Sequence, residues 1–150
     1  MKSAMLHQEI IETLFARDAV AKAMGMALVD CGEGRATIAL EVRQEHLNFN
    51  ATCHGGIIFT LADMTFGLAA NSHGVVAPAI SANISYHASV RESDRLTASA
   101  SEISRSKRLA SYVVEVVRRD GRKIATFTGS VFVTNEPHAA ASPPAAGGVT

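Results

Sequence analysis

Residues 54–74 constrain the fold more than any other stretch, because they read as one apolar helix that contains a single charge, Asp63. Apolar side chains occupy every side of its helical wheel: Ile57, Ile58, Leu61, Ala62, Met64, Phe66, Leu68 and Ala69. A helix that is hydrophobic on all sides is normally buried in a core. An ionised carboxylate in such a helix loses much of its hydration unless the protein supplies partners. We therefore expect Asp63 to be paired, protonated or functional.

The same stretch does not read as a membrane span. Residues 55–70 number 16, whereas roughly 20 apolar residues are needed to cross a bilayer. Asp63 would also lie near the bilayer midplane, at a cost of about 3 kcal/mol. The pattern predicts a buried core helix and no contact with a membrane.

The composition narrows the class of protein. A chain of 150 residues fits one domain of ordinary size. Its 14 Lys and Arg residues balance 14 Asp and Glu residues, so nothing indicates a nucleic-acid-binding surface. Two cysteines, Cys31 and Cys53, do not make a disulfide framework, and no apolar segment follows a basic N-terminus. We expect a cytoplasmic protein with reduced thiols.

Helical and strand patterns flank the central helix on both sides. Residues 6–24 have helical spacing and predict an amphipathic helix, or two short helices broken near Arg17 and Asp18. Residues 35–43 alternate strictly between apolar and polar side chains, which is typical of a half-buried strand, and a short strand precedes them at 26–30. Four further segments have strand character, and the last three predict an antiparallel meander: 75–87, 96–104, 109–119 and 123–134.

This order of elements lacks any strand–helix–strand alternation and predicts an α+β fold, with an antiparallel sheet of about six strands around the long helix. The domain spans residues 1–134, and residues 135–150, rich in Pro, Gly and Ala, are expected to form a disordered tail. One sheet cannot surround the helix, so the uncovered apolar surface and the sheet edges predict a homodimer or a higher symmetric oligomer.

Two glycines at the start of the central helix suggest a binding site. Gly55 and Gly56 follow His54 and carry no side chains, so a ligand oxygen can approach the first backbone N–H groups of the helix, which have no internal partners. That geometry suits an anion or an oxyanion. Tight packing of the helix start beneath a sheet would explain the two glycines equally well.

Asp63 lies nine residues after His54, about 13 Å along a helix axis that rises roughly 1.5 Å per residue. The two residues of one helix are therefore poorly placed to share a small substrate. In a twofold dimer the helix start of one subunit can meet the helix middle of the other, which would form a composite site. The alternative is a structural carboxylate that is paired with a strand Arg or bonded to Ser and Thr.

Other candidate residues give weaker signals. Cys53 beside His54 could suggest a thiol nucleophile, but adjacent residues seldom point at each other, and a buried inert cysteine is the preferred interpretation. The His and Cys residues do not repeat at a metal-ligand spacing, so no metal site is expected. Arg105, Lys107 and Arg108 are typical of a solvated turn, although they could also bind the phosphates of a nucleotide-bearing ligand.

These residues together resemble a known family. Leu47-Asn48, then Cys53-His54-Gly55-Gly56, then Leu61-Ala62-Asp63 are similar to the hotdog-fold acyl-CoA thioesterases, and within them to the phenylacetate-degradation (PaaI-type) group. The likeness extends from about Asp18 to about Val133. It implies an antiparallel sheet wrapped around the central helix, dimers that commonly pair into tetramers, and thioester hydrolysis at sites shared between subunits.

The resemblance also implies roles for individual residues. Asp63 would be the nucleophile or general base, and the N–H of Gly55 from the opposite subunit would polarise the carbonyl. Asn48 and His54 would position the thioester or the water. Gly56, Thr65 and the cations Arg105, Lys107 and Arg108 would contribute to substrate binding.

The expected reaction is hydrolysis of an acyl-CoA, aryl-acetyl-CoA by preference, with no metal or redox cofactor. Two alternatives stay open at this point. One is a non-catalytic acyl-CoA-binding regulatory module, which Asp63 argues against. The other is a hotdog dehydratase, which His54 keeps open.

Overall fold

The computed structural model describes the backbone of residues 2–139 and the side chains of residues 6–139. Three α-helices and six strands follow one another in the order α1 Lys2–Arg17, α2 Ala19–Met24, β1 Ala27–Gly32, β2 Arg35–Glu41, α3 Gly55–Asn71, β3 Ala79–Tyr86, β4 Arg95–Arg105, β5 Leu109–Arg118 and β6 Lys123–Phe132. A short 3₁₀ helix, Gln44–His46, lies between β2 and α3. None of the helices within this range is long and apolar enough to cross a membrane.

The six strands form one antiparallel sheet in the order β1-β2-β4-β5-β6-β3. Helix α3 packs across this sheet against β2, β4, β5 and β6, and α1 packs against β1 and α3. The strands β4, β5 and β6 form the predicted meander. The predicted α+β class with a six-stranded sheet on a long central helix is confirmed.

The side of α3 that faces the sheet forms the centre of the core. Phe66 is fully buried there and contacts the rings of Tyr112 and Phe127 at centroid distances of 5.7 and 5.4 Å. Gly129 on β6 is needed for this packing, since a Cβ atom at that position would lie 2.7 Å from the Phe66 ring. A strand glycine of this kind marks a close approach between neighbouring elements.

The prediction that α3 is buried on all sides is wrong for the single chain. One stripe of the helix, which includes Gly56, Thr60, Asp63 and Gly67, faces away from the sheet, and Asp63 itself is exposed. Glycine and threonine on this stripe do not mark it clearly as polar, so the helical wheel appears apolar all round. The Asp63 carboxylate is thus at a surface that this chain leaves uncovered.

Two short-range interactions explain the boundaries of the N-terminal helices. The Asp18 carboxylate accepts a hydrogen bond from the Ala21 N–H at 2.9 Å and so caps α2, which is why the helical pattern splits at this residue. Gly25 ends α2 in the left-handed conformation at φ 77°. The predicted break near Arg17 and Asp18 is therefore confirmed, but only α2 is short, since α1 has 16 residues.

The prediction of a disordered tail from residue 135 onward is wrong for its first five residues. The backbone N–H groups of Val76 and His138 donate to the carbonyls of Glu136 and Gly74, and Pro137 forms a bridge with Val75. These bonds fix residues 135–139 beside the segment that precedes β3, and β3 consequently begins at residue 79 rather than 75. Residues 140–150 lie outside the described part of the chain.

Strand β3 forms one edge of the sheet. Seven of its eight residues are exposed, all but Ile84, and its outer edge pairs with no strand within residues 2–139. An edge strand with free backbone N–H and C=O groups is a template for pairing with another chain. This edge runs next to the start of α3, where the site described below begins.

Candidate active site

The start of α3 is held by the side chain that precedes it. His54 is the N-cap residue, and its Nδ1 atom accepts a hydrogen bond from the Gly56 N–H at 2.9 Å. The backbone carbonyl of His54 accepts the N–H groups of Ile57 and Ile58. The Gly55 N–H has no hydrogen-bond partner among residues 2–139. It is therefore the unpaired donor at the positive end of the helix dipole.

Gly55 and Gly56 have different roles in this arrangement, although the sequence pattern suggests the same role for both. The Gly56 N–H donates to His54 Nδ1 and is therefore not available to bind substrate, which does not favour the predicted role of Gly56 in substrate binding. Gly56 itself is exposed. A Cβ at Gly56 would lie 3.1 Å from His54 Nδ1. Gly56 thus allows the imidazole to cap the helix, and Gly55 is left to meet a ligand.

Tyr86, at the end of edge strand β3, holds the helix start from the other side. Its hydroxyl donates to the carbonyl of Gly55 at 2.8 Å. A Cβ at Gly55 would approach the Tyr86 ring and hydroxyl to 3.3 Å, so the glycine permits this close contact. The unpaired N–H of Gly55 is therefore fixed in position between His54 and Tyr86.

Asn48 organises the loop that leads to His54. Its side-chain carbonyl accepts hydrogen bonds from the Asn50 N–H, the Thr52 N–H and the Thr52 hydroxyl, at 2.9, 3.2 and 3.2 Å. Its amide NH₂ group has no partner in the described part of the chain. A residue whose acceptor is fully used and whose donors are free is suited to orient a ligand oxygen.

Asp63 lies eight residues after Gly55 on the exposed stripe of α3, about 12 Å along the axis at roughly 1.5 Å per residue. Its carboxylate makes no hydrogen bond or ion pair within the described chain. Desolvation by the surrounding protein raises its pKa above the ordinary value. The predicted structural alternative, a carboxylate paired with a strand Arg or with Ser and Thr, is therefore not what the chain contains.

Asp63 borders a groove, which we name the α3 groove, between α3, the α1–α2 junction and the C-terminal segment. A cavity of about 340 Å³ lies on one side of Asp63 and a smaller one of about 160 Å³ on the other. Both are lined by Asp18, Asp63 and Met64; the larger one is also lined by Leu14, Gly67, Leu68, Asn71 and His138, and the smaller one by Val20 and Thr60. The carboxylate thus stands in a cleft large enough for a small acyl group.

Two predicted candidates face away from this cleft. Thr65 is fully buried, and its hydroxyl donates to the Leu61 carbonyl at 2.7 Å inside the helix. This placement does not favour the predicted contact between Thr65 and substrate. Cys53 is also buried, and burial raises its pKa to about 11. Because the thiolate is the nucleophilic form, Cys53 is inert at neutral pH.

The three cations at the β4–β5 turn, Arg105, Lys107 and Arg108, lie in different environments. Lys107 and Arg108 are exposed. Arg105 lies instead near Glu102, whose pKa it helps to lower, and one of its guanidinium nitrogens is enclosed without a partner among the described residues. Arg105 therefore belongs to a polar cluster at the far end of α3, and Lys107 and Arg108 remain the accessible pair.

Sequence reasoning missed Tyr86, which contacts Gly55 across 31 positions of the chain. Thr60, one helical turn before Asp63, lines the smaller cavity. Its hydroxyl donates to the Gly56 carbonyl at 2.7 Å and does not pair with Asp63. Nothing local marks Tyr86, because its role depends on how β3 reaches the helix start.

Comparisons with known proteins agree with this geometry. The thioesterase superfamily matches residues 50–125. The Escherichia coli acyl-coenzyme A thioesterase PaaI is 34% identical over 116 residues, which are 77% of this chain and 83% of the relative. The solved structure of the E. coli PaaI protein, from the phenylacetic acid degradation operon, superposes with a TM-score of 0.87 at 30% identity, and covers 89% of this chain and 97% of that one.

A structure from Streptococcus mutans that contains acetyl CoA has a TM-score of 0.72 at 27% identity, and covers 75% of this chain and 91% of the other. Residues 50–125 contain the capped helix start and Asp63, together with strands β3, β4 and β5. The chain therefore belongs to the thioesterase superfamily, as a PaaI-type acyl-CoA thioesterase with the hotdog fold, and is a thioester hydrolase.

Proposed function

We propose that the protein hydrolyses aryl-acetyl-CoA thioesters, such as phenylacetyl-CoA or hydroxyphenylacetyl-CoA, to the free acid and CoA. The observation that carries this proposal is the unpaired Asp63 carboxylate beside a cavity of about 340 Å³ whose apolar walls include Leu14, Met64 and Leu68. The E. coli relative named above comes from a phenylacetic acid degradation operon, which supports an aromatic acyl group.

We further propose that each active site is shared between two subunits. Gly55 N–H and Asp63 carboxylate of one chain are about 12 Å apart along the helix, too far to act on one carbonyl. Tyr86 links the start of α3 to the exposed edge strand β3. A second copy that pairs along this edge would bring its own α3 close, so that Gly55 of one subunit and Asp63 of the other can meet. The same pairing would form a homodimer, which we propose as the unit of a tetramer.

The reaction then follows from the two groups. Water adds its oxygen to the thioester carbonyl carbon while Asp63 accepts a water proton, and the partner's Gly55 N–H stabilises the oxyanion that forms. The carbon–sulfur bond breaks, and the sulfur receives the proton from Asp63. Direct attack by the carboxylate would instead break the carbon–sulfur bond, release the CoA thiolate and form a mixed anhydride. Water would then hydrolyse this anhydride to the free acid and the Asp63 carboxylate, and the remaining proton would pass to the thiolate. General-base and oxyanion contributions are each worth about 10²–10³-fold or more.

The remaining polar residues have supporting roles in this scheme. The free amide group of Asn48 orients the thioester or the attacking water, and His54 fixes the helix start through its bond to Gly56. The exposed Lys107 and Arg108 are candidates for contacts with CoA phosphates.

Hydrolysis by this route requires a carboxylate, water and N–H donors, so we propose that no metal or organic cofactor takes part. The two buried free thiols, Cys31 and Cys53, support a cytoplasmic location. The position of Asp63 in the cleft favours hydrolysis over the two alternatives, a non-catalytic regulatory module and a dehydratase.

A CoA-release assay over phenylacetyl, hydroxyphenylacetyl, benzoyl, acetyl and palmitoyl thioesters tests the proposal. We expect the highest kcat/KM for the two aryl-acetyl substrates and a loss of at least about 10²-fold in Asp63→Asn, which removes the charge but keeps the shape. Binding without hydrolysis would favour the regulatory module. Hydration of an enoyl-CoA without CoA release would favour the dehydratase. Equal rates on all acyl groups would refute the aryl-acetyl preference alone.

A further inference from the structure

Gly67 has no structural reason to be a glycine. It lies inside α3 with an ordinary helical backbone, where glycine is less favourable than alanine. A Cβ atom at Gly67 would meet no described atom within 4 Å, so close packing within the chain does not require its absence. This contrasts with Gly129, where a Cβ would collide with Phe66. The missing side chain at Gly67 therefore leaves space that the fold does not use.

That space belongs to the α3 groove. Gly67 lines the larger cavity one turn after Asp63, with Met64 and Leu68 beside it on the helix and Leu14 on the opposite wall. A side chain at Gly67 would project into this cavity. The floor of the groove is thus open directly next to the carboxylate.

The far end of the groove is formed by the C-terminal segment. His138 lines the cavity, and its Nε2–H donates to the Asn71 side-chain oxygen at 2.7 Å. The same oxygen accepts the Ala77 N–H at 2.9 Å, and the His138 N–H donates to the Gly74 carbonyl. The imidazole is therefore fixed across the end of the groove, where the end of α3 and the loop that follows it both hold residue 138.

We propose that the acyl group of the substrate lies in the α3 groove between Asp63 and His138, and that Gly67 sets its width and His138 its length. The inference rests on acyl-CoA hydrolysis at Asp63. From Asp63 to Asn71 the groove extends about 12 Å, eight residues at roughly 1.5 Å each. It therefore suits an acyl group that is as wide as an aromatic ring but short, and it excludes long unbranched chains.

The width is tested with Gly67→Ala and Gly67→Leu, assayed on acetyl-CoA and phenylacetyl-CoA. We expect Gly67→Leu to lower the ratio of kcat/KM for phenylacetyl-CoA to kcat/KM for acetyl-CoA at least about fivefold, since the larger group needs more of the space. Gly67→Ala should raise Tm by about 2–4 °C, as removing a helix glycine predicts for a chain of this size. Ala23→Leu, an exposed small-to-large change on α2 outside the groove, is the matched control.

The length is tested with His138→Ala on saturated acyl-CoAs of 4 to 16 carbons. We expect the wild-type profile to fall steeply beyond medium length, and the variant to extend it by about two to four carbons, so that the ratio of kcat/KM on long to short substrates rises. Glu136→Ala is the control, because its side chain lies on the same segment but outside the cavity.

Three outcomes would overturn the inference. If the wild type hydrolyses palmitoyl-CoA as fast as octanoyl-CoA, His138 does not limit the length of the acyl chain. An equal loss on acetyl-CoA and phenylacetyl-CoA in Gly67→Leu would show that Gly67 does not select the acyl group. Dissociation of the oligomer in Gly67→Ala, measured by light scattering, would assign the glycine to a subunit contact. None of these results depends on which aryl group the enzyme prefers, so they are distinct from failure of the proposed aryl-acetyl preference.

Discussion

The Nδ1 atom of His54 lies 2.9 Å from the backbone nitrogen of Gly56, and this one contact decides which N–H of the helix start is free. A histidine ring in this position replaces the usual Ser, Thr, Asp or Asn cap. It uses the second N–H of α3 and leaves the first, that of Gly55, for a ligand.

Loss of this cap should affect both stability and rate. His54→Ala leaves the Gly56 N–H unpaired, and we expect a destabilisation of about 1 kcal/mol together with a fall in kcat. His54→Asn restores a side-chain acceptor at the cap and should recover most of the stability. Thermal melts and CoA-release rates for both variants check this. If His54→Asn recovers the rate as well, His54 acts only as a cap; if its rate stays low, the imidazole also contacts substrate or water.

Asp63 should cost stability at neutral pH. Its pKa in the folded protein is raised by desolvation, so the folded state binds a proton more tightly than the unfolded state, and the stability associated with this group is lost as pH rises through the folded-state pKa. Asp63→Asn should therefore melt at the same or a higher temperature than wild type at pH 7. The difference should vanish below the ordinary Asp pKa of about 3.9. A lower Tm for Asp63→Asn at pH 7 would mean that the carboxylate has a stabilising partner.

The same raised pKa predicts the pH dependence of catalysis. Asp63 must be ionised to act as base or nucleophile, so kcat/KM should rise with pH along an acid limb whose midpoint lies above the ordinary Asp value. A pH–rate profile on one acyl-CoA measures this midpoint. An acid limb at or below about pH 3.9 would show that the assembled site does not desolvate the carboxylate.

Tyr86 should be a positioning residue for the helix start. Tyr86→Phe removes the hydrogen bond to the Gly55 carbonyl, and we expect a severalfold lower kcat with a destabilisation of about 1 kcal/mol. Tyr112→Phe is the matched control, since its hydroxyl donates to Glu102 at 2.6 Å far from the helix start. Tyr112→Phe should destabilise at least as much and leave kcat within about twofold. Equal losses of kcat in the two variants would mean that Tyr86 stabilises the fold and does not position the helix start.

Much of this architecture can be predicted from the sequence, because local periodicity decides it. The alternation in residues 35–43 and the helical spacing in residues 54–74 locate β2 and α3 within a few residues. The break at Asp18 is also visible, since Asp is a strong N-cap residue.

The errors arise where tertiary contacts act. Residues 135–139 have a composition typical of disorder, yet backbone bonds to Gly74 and Val76 fix them. Arg105 lies in a basic turn but reaches toward Glu102. Whether Asp63 is buried cannot be read from its own helix, because the answer depends on which stripe the sheet covers. Tyr86 and His138 are positioned by long-range contacts that no sequence spacing reports.

Complementation tests whether Gly55 and Asp63 act from different subunits. Gly55→Pro removes the free N–H, and proline is well tolerated at the first position of a helix. The backbone of His54, at φ −59° and ψ 133°, suits a residue before proline. A Cβ here lies 3.3 Å from the Tyr86 hydroxyl, which must shift slightly, so the fold of the variant is checked by its melt.

The decisive measurement is the activity of Gly55→Pro and Asp63→Asn chains that are unfolded and refolded together in equal amounts. Each variant alone should be nearly inactive. In a mixed dimer with shared sites, one of the two sites combines an intact Asp63 with an intact Gly55, so random pairing should recover about a quarter of wild-type activity. No recovery, from a mixture shown to contain mixed dimers, would mean that both groups act within one subunit and would rule out a shared site.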